Sequence, residues 1–157
     1  LFRSSMASFV SQNVGAGSEK RAKNAMFTGI GVGVLIGVVV FALVLFKGDF
    51  LTGIFTTDAD VIQKGYDYLK GFALETIVTA ILFSMIGYFN GHDQKMSVRA
   101  QGLVQTLLIR LPLAYYMSIQ PNASLTNIGF AAPVATIFGI VLNIGFFVWM
   151  NKARKCI

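Results

Sequence analysis

The chain has 157 residues, 55% of them apolar and only 13% charged, with a formal charge of +6. A soluble domain is about 25% charged; half that value, with a mean hydropathy of +0.66, excludes a soluble enzyme and a disordered tail. No basic run is interleaved with aromatics, which excludes a nucleic-acid binder, and a single cysteine, Cys156, with a single histidine, His92, excludes a disulfide framework or a Cys/His metal cluster.

What remains is an all-α integral membrane protein, read here in chain order. The chain starts at Leu1 rather than Met and without a signal-peptide pattern, so it reads as a piece that begins inside a longer polypeptide. Residues 1–18 read as the end of a preceding helix and a cytoplasmic loop, broken at Gly15-Ala16-Gly17-Ser18 with Ser18 as an N-cap. A helix needs about 20 apolar residues to cross a hydrocarbon core, and four stretches qualify: 25–46, 71–89, 102–119 and 128–150. Each is expected to be helical, because in lipid the backbone must satisfy its own hydrogen bonds. In the first, Gly29, Gly33 and Gly37 recur every four residues, a spacing that permits close helix contact. Between the first two, Thr57 with Asp60 resembles a capping box, predicting a helix that starts near Asp58 and runs on into the second span. The turn Gly91-His92-Asp93 follows, with His92 expected to be solvated. The third span holds Arg110 and Pro112, which predicts a kink. The fourth carries the small and polar series Gly129, Ala132, Thr136, Gly139 and Asn143 beside Pro133, and ends at Trp149.

Orientation follows from the basic residues. Arg3, Lys20, Arg21, Lys23, Lys95, Arg99, Lys152, Arg154 and Lys155 fall on one side, against Lys47, Lys64 and Lys70 on the other. The positive-inside rule then puts both termini in the cytoplasm.

Glu75 is the sharpest functional signal. It is the only charge of the second span, fifth of its 19 residues and so roughly 6 Å inside the outer boundary. Acids in such positions face cavities and bind cations or protons. At 100° per residue Glu75, Thr79, Phe83, Ile86 and Asn90 share one arc. Arg110, near the middle of its span, is a candidate for a substrate contact or a structural ion pair; Arg99 and Thr106 share its face, while Gln101 and Gln105 lie opposite. Asn143 is a candidate to line a cavity. The ion-coupling and substrate candidates are therefore Glu75, Thr79, Asn90, Arg110 and Asn143, with no catalytic set and no metal cluster. Gly15-Ala16-Gly17 lacks the third glycine of a dinucleotide fingerprint, and Asp58-Ala59-Asp60 lacks the glycine and glutamate of an EF-hand. Asn122-Ala123-Ser124 fits a glycosylation acceptor on the outer side.

Four separated motifs carry a resemblance. They are Ser8-Phe9-Val10-Ser11-Gln12-Asn13-Val14-Gly15-Ala16-Gly17 followed by Lys20-Arg21-Ala22-Lys23; Ile54-Phe55-Thr56-Thr57-Asp58 with Val61-Ile62; Gly87-Tyr88-Phe89-Asn90-Gly91; and Arg110-Leu111-Pro112-Leu113. In this order they resemble the MATE family of multidrug and toxic compound extrusion transporters. The resemblance implies twelve helices in two lobes, this chain being the last four and the end of the eighth, within the C-terminal lobe. It implies a bacterial cell-membrane antiporter, not an enzyme, that exports small cationic or aromatic compounds against inward Na⁺ or H⁺, with no organic cofactor. Its partners would be membrane lipid, the substrate and the N-terminal part of the same polypeptide, and Glu75 falls on the tenth-helix equivalent, where some members place a coupling acid. Two alternatives stand beside it: a lipid or oligosaccharide flippase of the same superfamily, and a small four-helix membrane scaffold subunit.

Overall fold

The computed structural model describes residues 2–120 and 124–155, the side chains of 153–155 excepted, so the Asn122 acceptor lies outside the described residues. The regular elements among them are helices: α1 Phe2–Gly15, α2 Glu19–Gly53, α3 Ala59–Phe72, α4 Glu75–Gly91, α5 Lys95–Val104, a π-helical segment Gln105–Arg110, α6 Leu111–Ser118 and α7 Leu125–Lys155. Alone, α2 and α7 are long and apolar enough to cross a membrane, and α3 with α4 makes a third candidate crossing, bent by 46°.

The break after α1 lies where the glycines predict it. Gly17 takes φ +70°, the left-handed conformation that costs glycine no Cβ clash. Its N–H bonds to the Val14 carbonyl, and that of Ser18 bonds to Asn13, which satisfies the last free carbonyls of α1. Ser18 stands at the N-cap of α2 by position, but its side chain makes no capping bond.

α2 overruns the predicted span at both ends and kinks at Lys47, where φ is −135°. Its glycine stripe faces α4. A Cβ on Gly33 would meet Ala80 at 3.0 Å and one on Gly37 would meet the Thr76 carbonyl at 2.8 Å, while Gly29 faces Met6 of α1 and Ser84 of α4. The Thr76 hydroxyl donates to the Gly37 carbonyl at 3.1 Å. Leu35, Ile36, Val39, Leu43 and Phe46 stay exposed on the opposite face.

α3 begins at the predicted place with a different cap. Asp58, rather than Thr57, accepts the N–H groups of Asp60 and Val61, because it is the residue directly ahead of Ala59, the first of the helix. Nor does α3 run straight on. At Ala73-Leu74 the chain bends: both the N–H and the hydroxyl of Thr76 bond to the Ala73 carbonyl, at 3.1 and 2.8 Å, tightening the turn that starts α4. The two halves nevertheless descend α2 in order. The Tyr66 hydroxyl donates to the Leu45 carbonyl at 2.6 Å, Gly65 faces Thr52, and α4 then follows past Gly37, Gly33 and Gly29. α3 and α4 thus follow one another along α2, bent by 46° at their junction.

α5, the π segment and α6 follow one another without a gap. Proline lacks a donor and its ring clashes with the carbonyl four residues back. Ahead of Pro112 the helix responds with a π turn, in which the Leu111 N–H reaches back five residues to Thr106. The expected kink is therefore a widened turn.

Where α1, α2, α4 and α7 meet, Val10, Met26, Met85, Tyr88, Phe89 and Met150 form the core. Tyr88 and Phe89 stack edge-on against Phe147 and Phe146, with centroids 5.5 and 5.1 Å apart. His92 is not solvated, as the sequence suggests, but buried. Its Nδ1 lies 2.9 Å from the Tyr88 carbonyl and its Nε2 3.1 Å from a Glu19 carboxylate oxygen. The pair ties the turn after α4 to the first residue of α2, a contact 73 residues apart in sequence that no local pattern encodes.

Candidate functional site

Glu75 opens α4, immediately after the bend. Counting along α3 and α4, it is 16 residues from Ala59 and 16 from Gly91, or about 24 Å from either end. Lys70 looks like the last charge before an apolar span, yet α3 carries its charges as internal pairs, Lys64–Asp60 at 2.6 Å and Lys70–Asp67 at 3.1 Å. Lys70 also lies 4.0 Å from the centre of the Tyr66 ring. With its charges paired in this way, α3 leads into α4, and the acid falls just after the break between the two helices.

The carboxylate lies between α4 and α7. Its Oε1 accepts the Thr136 hydroxyl at 2.9 Å, while its Oε2 is buried without a partner. Thr136 is 2% exposed and in turn accepts the Gln105 side-chain N–H at 3.3 Å. The Gln105 carbonyl accepts from Gln101 at 2.6 Å. Gly139 makes room for both glutamines: a Cβ there would collide with Gln105 and would come within 2.7 Å of Gln101 Nε2. Four side chains from α4, α7, the π segment and α5 thus form one bonded series in an otherwise apolar interior.

The predicted residues divide around this series. Glu75 belongs to it, and Thr79, one turn along α4, has a buried hydroxyl with no partner. Asn143 is 3% exposed with its side-chain nitrogen unpartnered, four residues beyond Gly139 on the same face of α7. Asn90 lies 15 residues from Glu75, about 22 Å along the helix, near the His92 turn, and does not join the site. Phe83 of the same arc is 41% exposed whereas Ile86 is buried, so the arc spans two environments. Arg110 is exposed and has no carboxylate partner among the described residues; Arg99 and Thr106 are exposed too, while Gln101 is buried, as their opposite faces predict. The series also includes Thr136, Gln105 and Gln101, none of them singled out as site residues from sequence. The signal available was that two amides at i and i+4 lie opposite a basic face, in a span where an unpaired amide is costly.

Arg3 lies on α1 with its carbonyl 3.2 Å from where a Gly87 Cβ would be, about one turn of α4 before Gly91. Separately, a groove of about 690 Å³ runs between α1 and α2, lined by Phe2, Met6, Phe9 and Val32 with Arg21 and Asn24; it shares no residue with the Glu75 series.

Residues 1–116 match the family model MatE. The chain belongs to the MatE family. That family consists of membrane transporters rather than enzymes. Among curated proteins the chain is similar to "Multidrug and toxin extrusion protein 1" of Homo sapiens and of Pongo abelii, at 21% identity over 147 residues in each case. The alignment covers 94% of this chain and 26% of those proteins, so the chain spans about a quarter of the length of the curated relatives it matches. No solved structure matches it.

Proposed function

We propose that the chain is the C-terminal part of an ion-coupled efflux antiporter and that Glu75 is an acid through which Na⁺ or H⁺ drives export of cationic or aromatic compounds. One observation carries the reading: a carboxylate at the break between two consecutive helices, with one oxygen bonded and the other buried and unpartnered. Interrupted helices are where transporters of many folds hold their coupling ions, and a buried carboxylate oxygen with no partner offers a coupling ion a place to bind. The relatives' printed name, multidrug and toxin extrusion, supports the same class of activity. In this reading the chain crosses the membrane four times, through α2, α3 with α4, α5 to α6, and α7. Both termini are cytoplasmic, and the rest of the polypeptide supplies the facing half of the cavity. The flippase alternative calls for cations inside the cavity; the site described has none, and the mid-span Arg110 is exposed.

The test is dye export by the full-length transporter in proteoliposomes under imposed Na⁺ and pH gradients. Glu75→Gln keeps the shape of the side chain and removes its charge. Gradient-driven export is expected to fall at least tenfold, with the protein still monodisperse. Export driven as in the wild type would remove Glu75 from the coupling mechanism.

A further inference from the structure

The bonded series behind Glu75 has a direction. An ionised carboxylate only accepts, so the Thr136 hydroxyl must spend its one hydrogen on Glu75 Oε1. Thr136 can then only accept from Gln105, which must present its NH₂ to Thr136 and its carbonyl to Gln101. Every donor points toward the carboxylate, and such chains polarise one another in a low-dielectric interior. At the far end the Gln101 carbonyl is buried with no partner. If the three side chains served only to fill space, apolar residues would do so without burying amides.

We propose that Thr136, Gln105 and Gln101 are positioning residues that act through Glu75, holding its carboxylate when it is empty and linking its ion occupancy to the π segment. The proposal rests on the reading of Glu75 as the ion-binding acid. A proton or cation taken up at the unpartnered Oε2 neutralises the carboxylate and weakens Oε1 as the charged acceptor that fixes the sense of the series. The Thr136 hydroxyl is then held less firmly, and with it the Gln105 amide that donates to it. Gln105 is the first residue of the π segment, the stretch where Pro112 has already loosened the helical ladder. π turns inside helices occur often at functional sites, and here the turn is joined by a side chain to α7 and, through it, to the acid of α4. Occupancy of Glu75 is therefore communicated to the α5–α6 crossing through two hydrogen bonds rather than through packing alone.

The test uses the full-length transporter in proteoliposomes and reads dye export against the concentration of the driving ion. Thr136→Val keeps the shape and removes the donor; Gln105→Leu cuts the next bond. Gly139→Ala pushes the two glutamines apart while leaving both Glu75 and Thr136 intact. Thr136→Val is expected to move the half-saturating ion concentration about tenfold, the worth of one hydrogen bond to a charged group, and the other two about threefold, that of a neutral bond. The half-saturating dye concentration should stay within twofold, and Thr136→Ser should restore the wild-type ion dependence. A role in packing alone would lower the amount of folded protein and leave that dependence unmoved. Wild-type ion dependence in Thr136→Val, Gln105→Leu and Gly139→Ala, with coupling abolished by Glu75→Gln, would overturn the relay and leave Glu75 as the coupling acid. Coupling that survives Glu75→Gln would overturn both. A variant that fails to fold is replaced by the other two, since they break the series at different bonds.

Discussion

Asp93 is the one non-glycine residue with positive φ among the described residues, at 60°. Its N–H bonds to the Asn90 carbonyl and that of Gln94 to Phe89, the same closing pattern that Gly17 provides after α1. Aspartate tolerates this conformation better than most residues, though it still carries a Cβ. Asp93→Gly is expected to stabilise the protein by roughly 0.5–1 kcal/mol, and a β-branched Asp93→Val to destabilise it by more than about 1 kcal/mol. The ion pair lost with Asp93, 3.0 Å to Lys95, is exposed on both sides and so worth little. Thermal unfolding of the purified transporter in detergent checks the order of the three proteins; a wild type more stable than Asp93→Gly would refute it. A compact turn at residues 91–93 could be read from the sequence. The burial of His92 beside it could not, because its partner Glu19 is far away in the chain.

Among the elements, the contact face of α2 was legible, though not its partner α4, and the interruption at Ala73-Leu74 was not. Three glycines at a spacing of four mark a face where backbones approach, and the structure places α4 on that face. Gly37→Val should therefore be severe, since its Cβ would press on the backbone of Thr76 and Ile77 at 2.8 and 3.0 Å, which do not yield as a flexible side chain does. Gly31→Val on the same helix meets nothing within 4 Å and should be tolerated. Fluorescence-detected gel filtration of tagged variants distinguishes them: a collapse in the monodisperse peak is expected for Gly37→Val only, and equal behaviour would deny the contact. The break at Ala73-Leu74 left no such mark, because both residues form helices well and neither Gly nor Pro is present. It depends instead on Thr76 bonding back to Ala73 and across to Gly37, a tertiary arrangement. Pro112 predicted a disturbance correctly, but whether a helix kinks or widens is decided by its neighbours. That choice is what brings Gln105 to Thr136.

For the whole molecule, the depth of Glu75 and the sidedness of the chain are one question. If α3 and α4 are halves of a single crossing, Thr57 just ahead of α3 and Lys95 just after α4 must emerge on opposite sides, with Glu75 midway. Both residues are exposed. The nine basic residues counted on the side of Lys95, against Lys47, Lys64 and Lys70, predict that Lys95 faces the cytoplasm. The counts differ enough that reversing a single residue should not invert the protein. In a Cys156→Ser background of the full-length transporter, a cysteine at Thr57 should react with a membrane-impermeant maleimide added to intact cells. A cysteine at Lys95 should react only after the membrane is opened or inverted. A cysteine replacing Glu75 should be protected from both sides in the absence of a driving gradient. Labelling of the Thr57 and Lys95 positions from the same side would mean that α3 and α4 form a re-entrant hairpin. Glu75 would then lie at its tip, reachable from one side alone, and the alternation that the antiporter reading needs would have to be built from other helices.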